Sequence, residues 1–245
     1  MKQRVITGIL LVVFLLIIGV IDNPYLIKLV VSGITILGMI EAKKLFNVDD
    51  KNVFYFLSIL SVLSIVISPF LIGIIGVLGV ASYISYFQKD INLISISLYP
   101  FLPFMMLSAL YLKTSILVIG WLILVVALTD SLAYFVGKSI GKKFIKKGFC
   151  KTSPNKSWEG VIGGVFFGVL IGGILGLKLF SYNSFLFAFL ISISGVFGDL
   201  FESFLKRRAG VKDSGDILPG HGGILDRTDA YLFAAPLMFV LIGSL

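Results

Sequence analysis

Nine apolar runs of 15 to 22 residues recur along the 245 residues of this chain, most of them with almost no charge. That is about the length an α-helix needs to cross the hydrocarbon core of a bilayer. The runs fall at about 5–21, 26–40, 53–68, 70–87, 93–111, 116–137, 160–180, 184–200 and 224–245. In lipid, backbone polar groups must be satisfied by the spanning structure itself, which leaves helices or closed barrels. A barrel would show short strands of alternating polarity instead. The pattern therefore predicts an all-α polytopic membrane protein with about nine transmembrane helices. Composition agrees: 58% of residues are hydrophobic and 14% charged, where a soluble domain carries roughly half and a quarter. Two places leave the count open to a span more or fewer. Ser68-Pro69 alone divides the third run from the fourth, and Pro100 and Pro103 lie inside the fifth.

Lysine and arginine positions give these segments a direction. With the N-terminus in the cytoplasm, 18 of the 21 cations fall on the cytoplasmic side, and only Lys28, Lys113 and Lys178 fall elsewhere. That is the distribution the positive-inside rule requires. The net charge of +8 is accordingly read as lysines held at an anionic membrane face rather than as a nucleic-acid surface. Met1-Lys-Gln-Arg4 followed by an apolar run is like a signal peptide. No small-residue cleavage site follows, so an uncleaved first helix is expected. Two cytoplasmic segments, 138–159 and 201–223, exceed simple turns. The expected organisation is a scaffold over residues 1–115 and a catalytic transmembrane region over 116–245.

The second of those segments opens into a polar island, Ser203 to Asp229, that holds five cations, four carboxylates and the only histidine, His221, within 27 residues. One cysteine and one histidine exclude an intramolecular disulfide and a cysteine- or histidine-rich metal site, so any metal should be a hard cation held by carboxylates. Asp226 and Asp229 stand three apart at the start of the last run. Like charges at that spacing repel unless a cation neutralises them; Mg²⁺ would do so, while the dipole at a helix N-terminus would partly stabilise them without metal. Pro219-Gly-His-Gly-Gly223 precedes them, and glycines let backbone N–H groups approach an anion closely. His221 either passes a proton or braces the loop.

Acids also stand within the apolar runs. Asp130 must face the bundle interior or a wet cavity, because a charge facing lipid is costly; a structural hydrogen bond to Tyr134 is the plainer alternative. Asp199, Glu202, Ser203 and Lys206 share a helical face. Glu202 can simply pair with Lys206 on that face, whereas Asp199 sits among apolar neighbours. In the other loop, Lys156 is framed by Ser153-Pro-Asn and Ser157-Trp-Glu-Gly160 like a helix cap, a suitable place for a phosphate-binding lysine. Lysines 138 to 147 read as headgroup contacts. Gly137-Lys138-Ser139 lacks the upstream glycine of a Walker A loop.

The island resembles the signature of phosphatidate cytidylyltransferases, the CDP-diacylglycerol synthases. The matching positions are Ser203, Lys206, Arg207, Lys212, Asp213, Gly215, Leu218, Pro219, His221, Gly222, Gly223, Asp226, Arg227 and Asp229. Asp130-Ser-Leu-Ala-Tyr-x-x-Gly137 and Ser153-Pro-x-Lys-Ser-x-Glu-Gly160 extend the resemblance over 128–229. The first hundred residues match in hydrophobic pattern only. The absence of any Asp-Gly dipeptide excludes the motif of the CDP-alcohol phosphotransferases.

The resemblance implies a multi-pass enzyme of the bacterial cytoplasmic membrane that joins CTP and phosphatidic acid into CDP-diacylglycerol and pyrophosphate. It implies Mg²⁺ paired with K⁺, and a homodimer. Asp199, Asp226 and Asp229 would be metal ligands, with Lys156 and His221 also catalytic. Substrate contacts would come from Asp130, Ser157, Ser203, Lys206, Arg207, Lys212, Asp213, Gly222, Gly223 and Arg227. Two rivals stand beside this reading. A CTP-dependent polyprenol kinase is close in chemistry, and a cation-coupled transporter would use the intramembrane acids but leaves the island unexplained.

Overall fold

The computed structural model describes residues 2–243, the side chains of Lys2 and Arg4 excepted. Its regular structure is helical: α1 (Lys2–Ile21), α2 (Pro24–Phe46), α3 (Lys51–Leu63), α4 (Pro69–Phe87), the single turn α5 (Ile94–Ile96), α6 (Leu102–Lys113), α7 (Ile116–Ile140), α8 (Trp158–Phe180), α9 (Asn183–Arg208) and α10 (Leu225–Gly243). Among the described residues there is no strand, only isolated bridges at Gly148–Ser157 and Leu218–Gly222. The all-α membrane architecture expected from the apolar runs is the one observed.

Among the described residues every apolar run carries helix over most of its length, and local chemistry sets the breaks. The Asn23 side chain accepts from the Tyr25 and Leu26 amides at the start of α2. Asp50 accepts from those of Asn52 and Val53 at the start of α3. Both satisfy N–H groups that the first turn of a helix leaves without partners. Pro24 and Pro69 each occupy the first helical position, where a missing N–H costs nothing. Six segments are long and apolar enough to cross a membrane: α2, α4, Ile91–Lys113, α7, α8 and α9. Val5–Ile21 and α3 are apolar but shorter; α3 stops at Leu63, five residues before the end of the run that foreshadowed it. The Pro100 region lies inside one of these six, Ile91–Lys113. It makes one helical stretch with a break, where Tyr99 leaves helical geometry between α5 and α6.

The chain forms two compact units: the residues up to Ile116 together with Leu205–Thr228, and Leu117–Phe204 together with the chain from Asp229. In the first unit α2 meets α3 through Ser32, whose hydroxyl donates to the Ser61 carbonyl at 2.6 Å. Gly73 and Gly76 of α4 face Met105 and Phe101 so closely that an added Cβ would fall 3.3 Å and 2.2 Å from those side chains.

The second unit is organised by α8. Glycines recur every fourth residue at 160, 164, 168, 172 and 176, all of them buried. A stripe of small residues lets helix backbones approach where lipid supplies no hydrophobic drive for association. Here the stripe receives α7: a Cβ at 164 would lie 2.6 Å from the Thr129 carbonyl oxygen, and one at 168 would lie 2.4 Å from the Thr129 hydroxyl. Trp121 donates its indole N–H to the Gly172 carbonyl at 2.8 Å, and Thr129 meets Ser192 of α9 at 2.8 Å. Close contact with α8 thus fixes the α7 segment that carries Asp130.

Candidate active site

The island leaves α9 through a Schellman ending. Gly210 takes φ +71°, and the amides of Gly210 and Val211 return to the carbonyls of Arg207 and Lys206 at 3.2 and 2.9 Å. The loop then turns at Leu218-Pro219-Gly220-His221. The His221 amide donates to the Leu218 carbonyl at 2.8 Å, with proline second and a positive-φ glycine third, as a type II turn requires. Arg227 clamps this turn by donating Nε and Nη2 to the His221 carbonyl at 2.9 and 2.7 Å. The His221 backbone thus braces the loop, while its Nδ1 is buried with no hydrogen-bond partner among the described residues. A cavity of about 490 Å³ opens beside the turn, lined by Asp213, Asp216, His221 and Arg227 among others.

Two carboxylates lie under this loop in the first unit. Asp226 accepts from the Lys206 ammonium at 2.6 Å through one oxygen. Its other oxygen accepts from the Gly223 amide at 2.8 Å and from the amide and hydroxyl of Ser214 at 2.9 and 3.0 Å. Gly222, at φ +83°, leaves room for that second oxygen, since a Cβ there would sit 2.6 Å from it. The other carboxylate belongs to Glu41 of α2, which is 1% exposed.

The second unit holds Asp130, Asp199, Glu202 and Asp229. Asp199 on α9 carries the Lys156 ammonium as its counter-charge, and the Ser203 hydroxyl stands 3.5 Å from its other oxygen. Asp130 is within electrostatic reach of both Asp199 and Lys156. Asp229 is within reach of Asp199 and Asp130, and Glu202 of α9 is fully buried. Lys156 is delivered by a small loop: its carbonyl accepts from the Phe149 amide at 2.7 Å. Ser157 caps α8, accepting from the Gly160 amide at 3.1 Å. Glu159 gathers the amides of Lys142, Phe144 and Ile145 at 2.8 to 3.1 Å.

A model of the cytidylyltransferase family matches residues 2–245. The chain belongs to that family. A phosphatidate cytidylyltransferase of Helicobacter pylori strain J99 is 40% identical over 98% of this chain and 91% of its own length. Proteins of the same name from Thermotoga maritima and Bacillus subtilis are each 47% identical over 47% of this chain, and over 45% and 43% of their own lengths.

In this member of the cytidylyltransferase family, the site residues expected from the motifs fall into two groups by unit. Lys206, Asp226, His221, Gly222, Gly223 and Arg227 are joined or adjacent in the island loop. Lys156, Asp199, Ser203, Asp130 and Asp229 belong to the other. Arg207, Lys212 and Asp213 are exposed. Sequence reasoning missed Glu41, which stands near the lysine-bearing end of an apolar run and there looks like an ordinary helix terminus. It passed over Glu202 as a partner for Lys206. It also missed the glycine stripe of α8, whose period of four is plain in the residue order.

As to metal, no three histidine, cysteine, aspartate or glutamate side chains cluster closely enough for a closed cage among the described residues. Mg²⁺ needs no such cage, because it takes one or two carboxylates and completes its shell with water and substrate phosphates. The donors at hand are carboxylate oxygens, the hard kind that ion prefers. Two of these carboxylates, Asp199 and Asp226, each hold an ammonium as counter-charge. Each carboxylate by itself offers oxygens of the kind a hard divalent cation takes.

Proposed function

We propose that this protein transfers the cytidylyl group of CTP to phosphatidic acid, giving CDP-diacylglycerol and pyrophosphate in phospholipid biosynthesis. The observation that carries the reading is 40% identity along nearly the whole chain with a protein named phosphatidate cytidylyltransferase. The motif residues at 130–160 and 203–229 support it. The enzyme sits in the cell membrane as a multi-pass protein, with the island and the Lys156 loop on the cytoplasmic side, where CTP is available.

The reaction is a displacement at the α-phosphorus of CTP. A phosphatidate oxygen forms a new P–O bond there as the bond to the β-phosphate bridging oxygen breaks, and pyrophosphate leaves with that electron pair. The attacking oxygen is already anionic at neutral pH, so no strong base is required. Catalysis then comes from alignment and charge neutralisation. Asp226 in the first unit and Asp199 and Asp229 in the second are the carboxylates that would hold Mg²⁺ or K⁺. Bound there, Mg²⁺ neutralises phosphate charge and orients the nucleotide. Lys156, Lys206, Arg207 and Lys212 bind phosphate oxygens, and Lys156 and Lys206 exchange their aspartate partners for them. The Gly223 amide and the first amides of α10 are taken by the Asp226 and Glu41 carboxylates, so at this turn phosphate would be met by side chains rather than by those N–H groups. The Nδ1 atom of His221, which lacks a partner among the described residues, can donate to a phosphate oxygen or exchange a proton with it.

Purified protein incubated with labelled CTP, Mg²⁺ and either phosphatidic acid or polyprenol tests the assignment. Labelled CDP-lipid should form from phosphatidic acid alone. Phosphorylated polyprenol in its place would make the protein a lipid kinase, and no product with either lipid would return the transporter reading. Lys156→Ala should raise KM for CTP or lower kcat by about 10- to 100-fold, the scale of one lost charged contact. Steady-state rates across CTP concentrations read this directly, and unchanged constants would make Lys156 part of the α8 cap only.

A further inference from the structure

Glu41 is the most completely enclosed acid of the first unit, and its carboxylate meets two backbone amides and a hydroxyl. One oxygen accepts from the Ile224 amide at 2.8 Å. The other accepts from the Leu225 amide at 2.9 Å and stands 2.9 Å from the Ser214 hydroxyl. Ile224 precedes α10 and Leu225 opens it, so the charge sits on the positive end of the helix that carries Asp226. Two glycines make the room: a Cβ at Gly215 would fall 2.6 Å from one Glu41 oxygen, and a Cβ at Gly223 would fall 2.4 Å from the other. The Ser214 hydroxyl is also 3.0 Å from Asp226 and has a single hydrogen for two carboxylates. The loop between Asp213 and Asp226 is therefore tied at both ends to a residue 173 to 184 positions earlier in the chain.

We propose that Glu41 is a positioning residue for the reaction. By holding the first amides of α10 and the Ser214 hydroxyl, it sets where the Asp226 carboxylate points. The inference rests on the reading of Asp226 as a cation-holding carboxylate. Lys206 neutralises Asp226 from one side, and Glu41 orders the donors on the other. Glu41 touches neither substrate nor cation; its influence passes through Ser214 and the helix start.

Glu41→Gln in the full-length protein is the direct test, because it keeps the shape and turns one acceptor into a donor facing an N–H or O–H group. Amide hydrogen exchange over 213–226 should accelerate at least ten-fold. The Mg²⁺ concentration for half-maximal CDP-lipid synthesis should rise at least five-fold and kcat should fall more than ten-fold, with KM for phosphatidic acid within two-fold. Unchanged exchange overturns the proposal. So does faster exchange with kcat and the Mg²⁺ requirement unmoved, which is the signature of a purely structural residue. Ser214→Ala decides the matter if Glu41→Gln does not fold, since it leaves both backbone contacts of Glu41 in place. It should raise the Mg²⁺ requirement two- to five-fold, and an unmoved requirement there overturns the proposal. Asp226→Asn run in parallel separates the two readings. Normal turnover in that variant removes the cation role of Asp226, while the exchange data still decide whether Glu41 holds the loop.

Discussion

Asp226→Asn should abolish CDP-diacylglycerol synthesis while the protein still reaches the membrane. One Asp226 oxygen holds the Lys206 ammonium and the other holds three N–H or O–H donors from Ser214 and Gly223. An amide offers one acceptor and one donor to these two sets, so one set loses its acceptor and faces a donor. Removing the charge also removes a ligand for the hard cation the reaction is proposed to use. Losing one preorganised electrostatic contact typically lowers kcat on the order of 100- to 1,000-fold, and loss of a metal ligand belongs at the upper end. The measurement is labelled CDP-lipid formed per molecule of inserted protein, with insertion quantified from the membrane fraction. Undiminished turnover would remove Asp226 from the cation site.

Gly164→Val should cost the fold more than any substitution at a lipid-facing glycine. The new Cβ would lie 2.6 Å from the Thr129 carbonyl oxygen and 2.6 Å from the Ala133 Cβ. Neither is the far end of a flexible side chain, so α7 as a whole must retreat. Overpacking of this kind costs about 1–3 kcal/mol where side chains can yield, and more where they cannot. Gly120→Ala supplies the control on the same α7: nothing lies within 4 Å of its added Cβ, and helix propensity favours the alanine by roughly 1 kcal/mol. Thermal unfolding in detergent should show a large loss for Gly164→Val and none for Gly120→Ala. Equal stability of the two would mean that α7 does not depend on the stripe.

Most of the helices were legible because length and hydropathy alone decide what can lie in a bilayer. Breaks were less so. The run at 53–68 reads as one segment, yet α3 ends at Leu63 and gives way to turns before Pro69, a choice of local hydrogen bonding that apolar composition does not reveal. The island was visible as chemistry, since so many charges in an apolar chain need a use. Its support was not visible. Glu41 meets Ser214, Ile224 and Leu225 across 173 to 184 residues of chain, and no local pattern near Glu41 announces such a partner. Lys206 is similar: its ammonium reaches Asp226 across the loop, a contact that helical spacing does not announce. Long-range closure, rather than periodicity, selects these contacts.

The glycine stripe has a genetic consequence. Second-site suppression should sort the glycines of α8 into two kinds. Where the crowding neighbour is a side chain, as Val136 is for Gly163 and Phe185 for Gly173, a smaller residue opposite can restore a damaged pair. Where the neighbour is main chain, as the Thr129 carbonyl is for Gly164 and the Ala133 carbonyl for Gly160, no substitution can shrink it. Losses at those two positions should yield no intragenic suppressor on the facing turn of α7, only reversion to glycine.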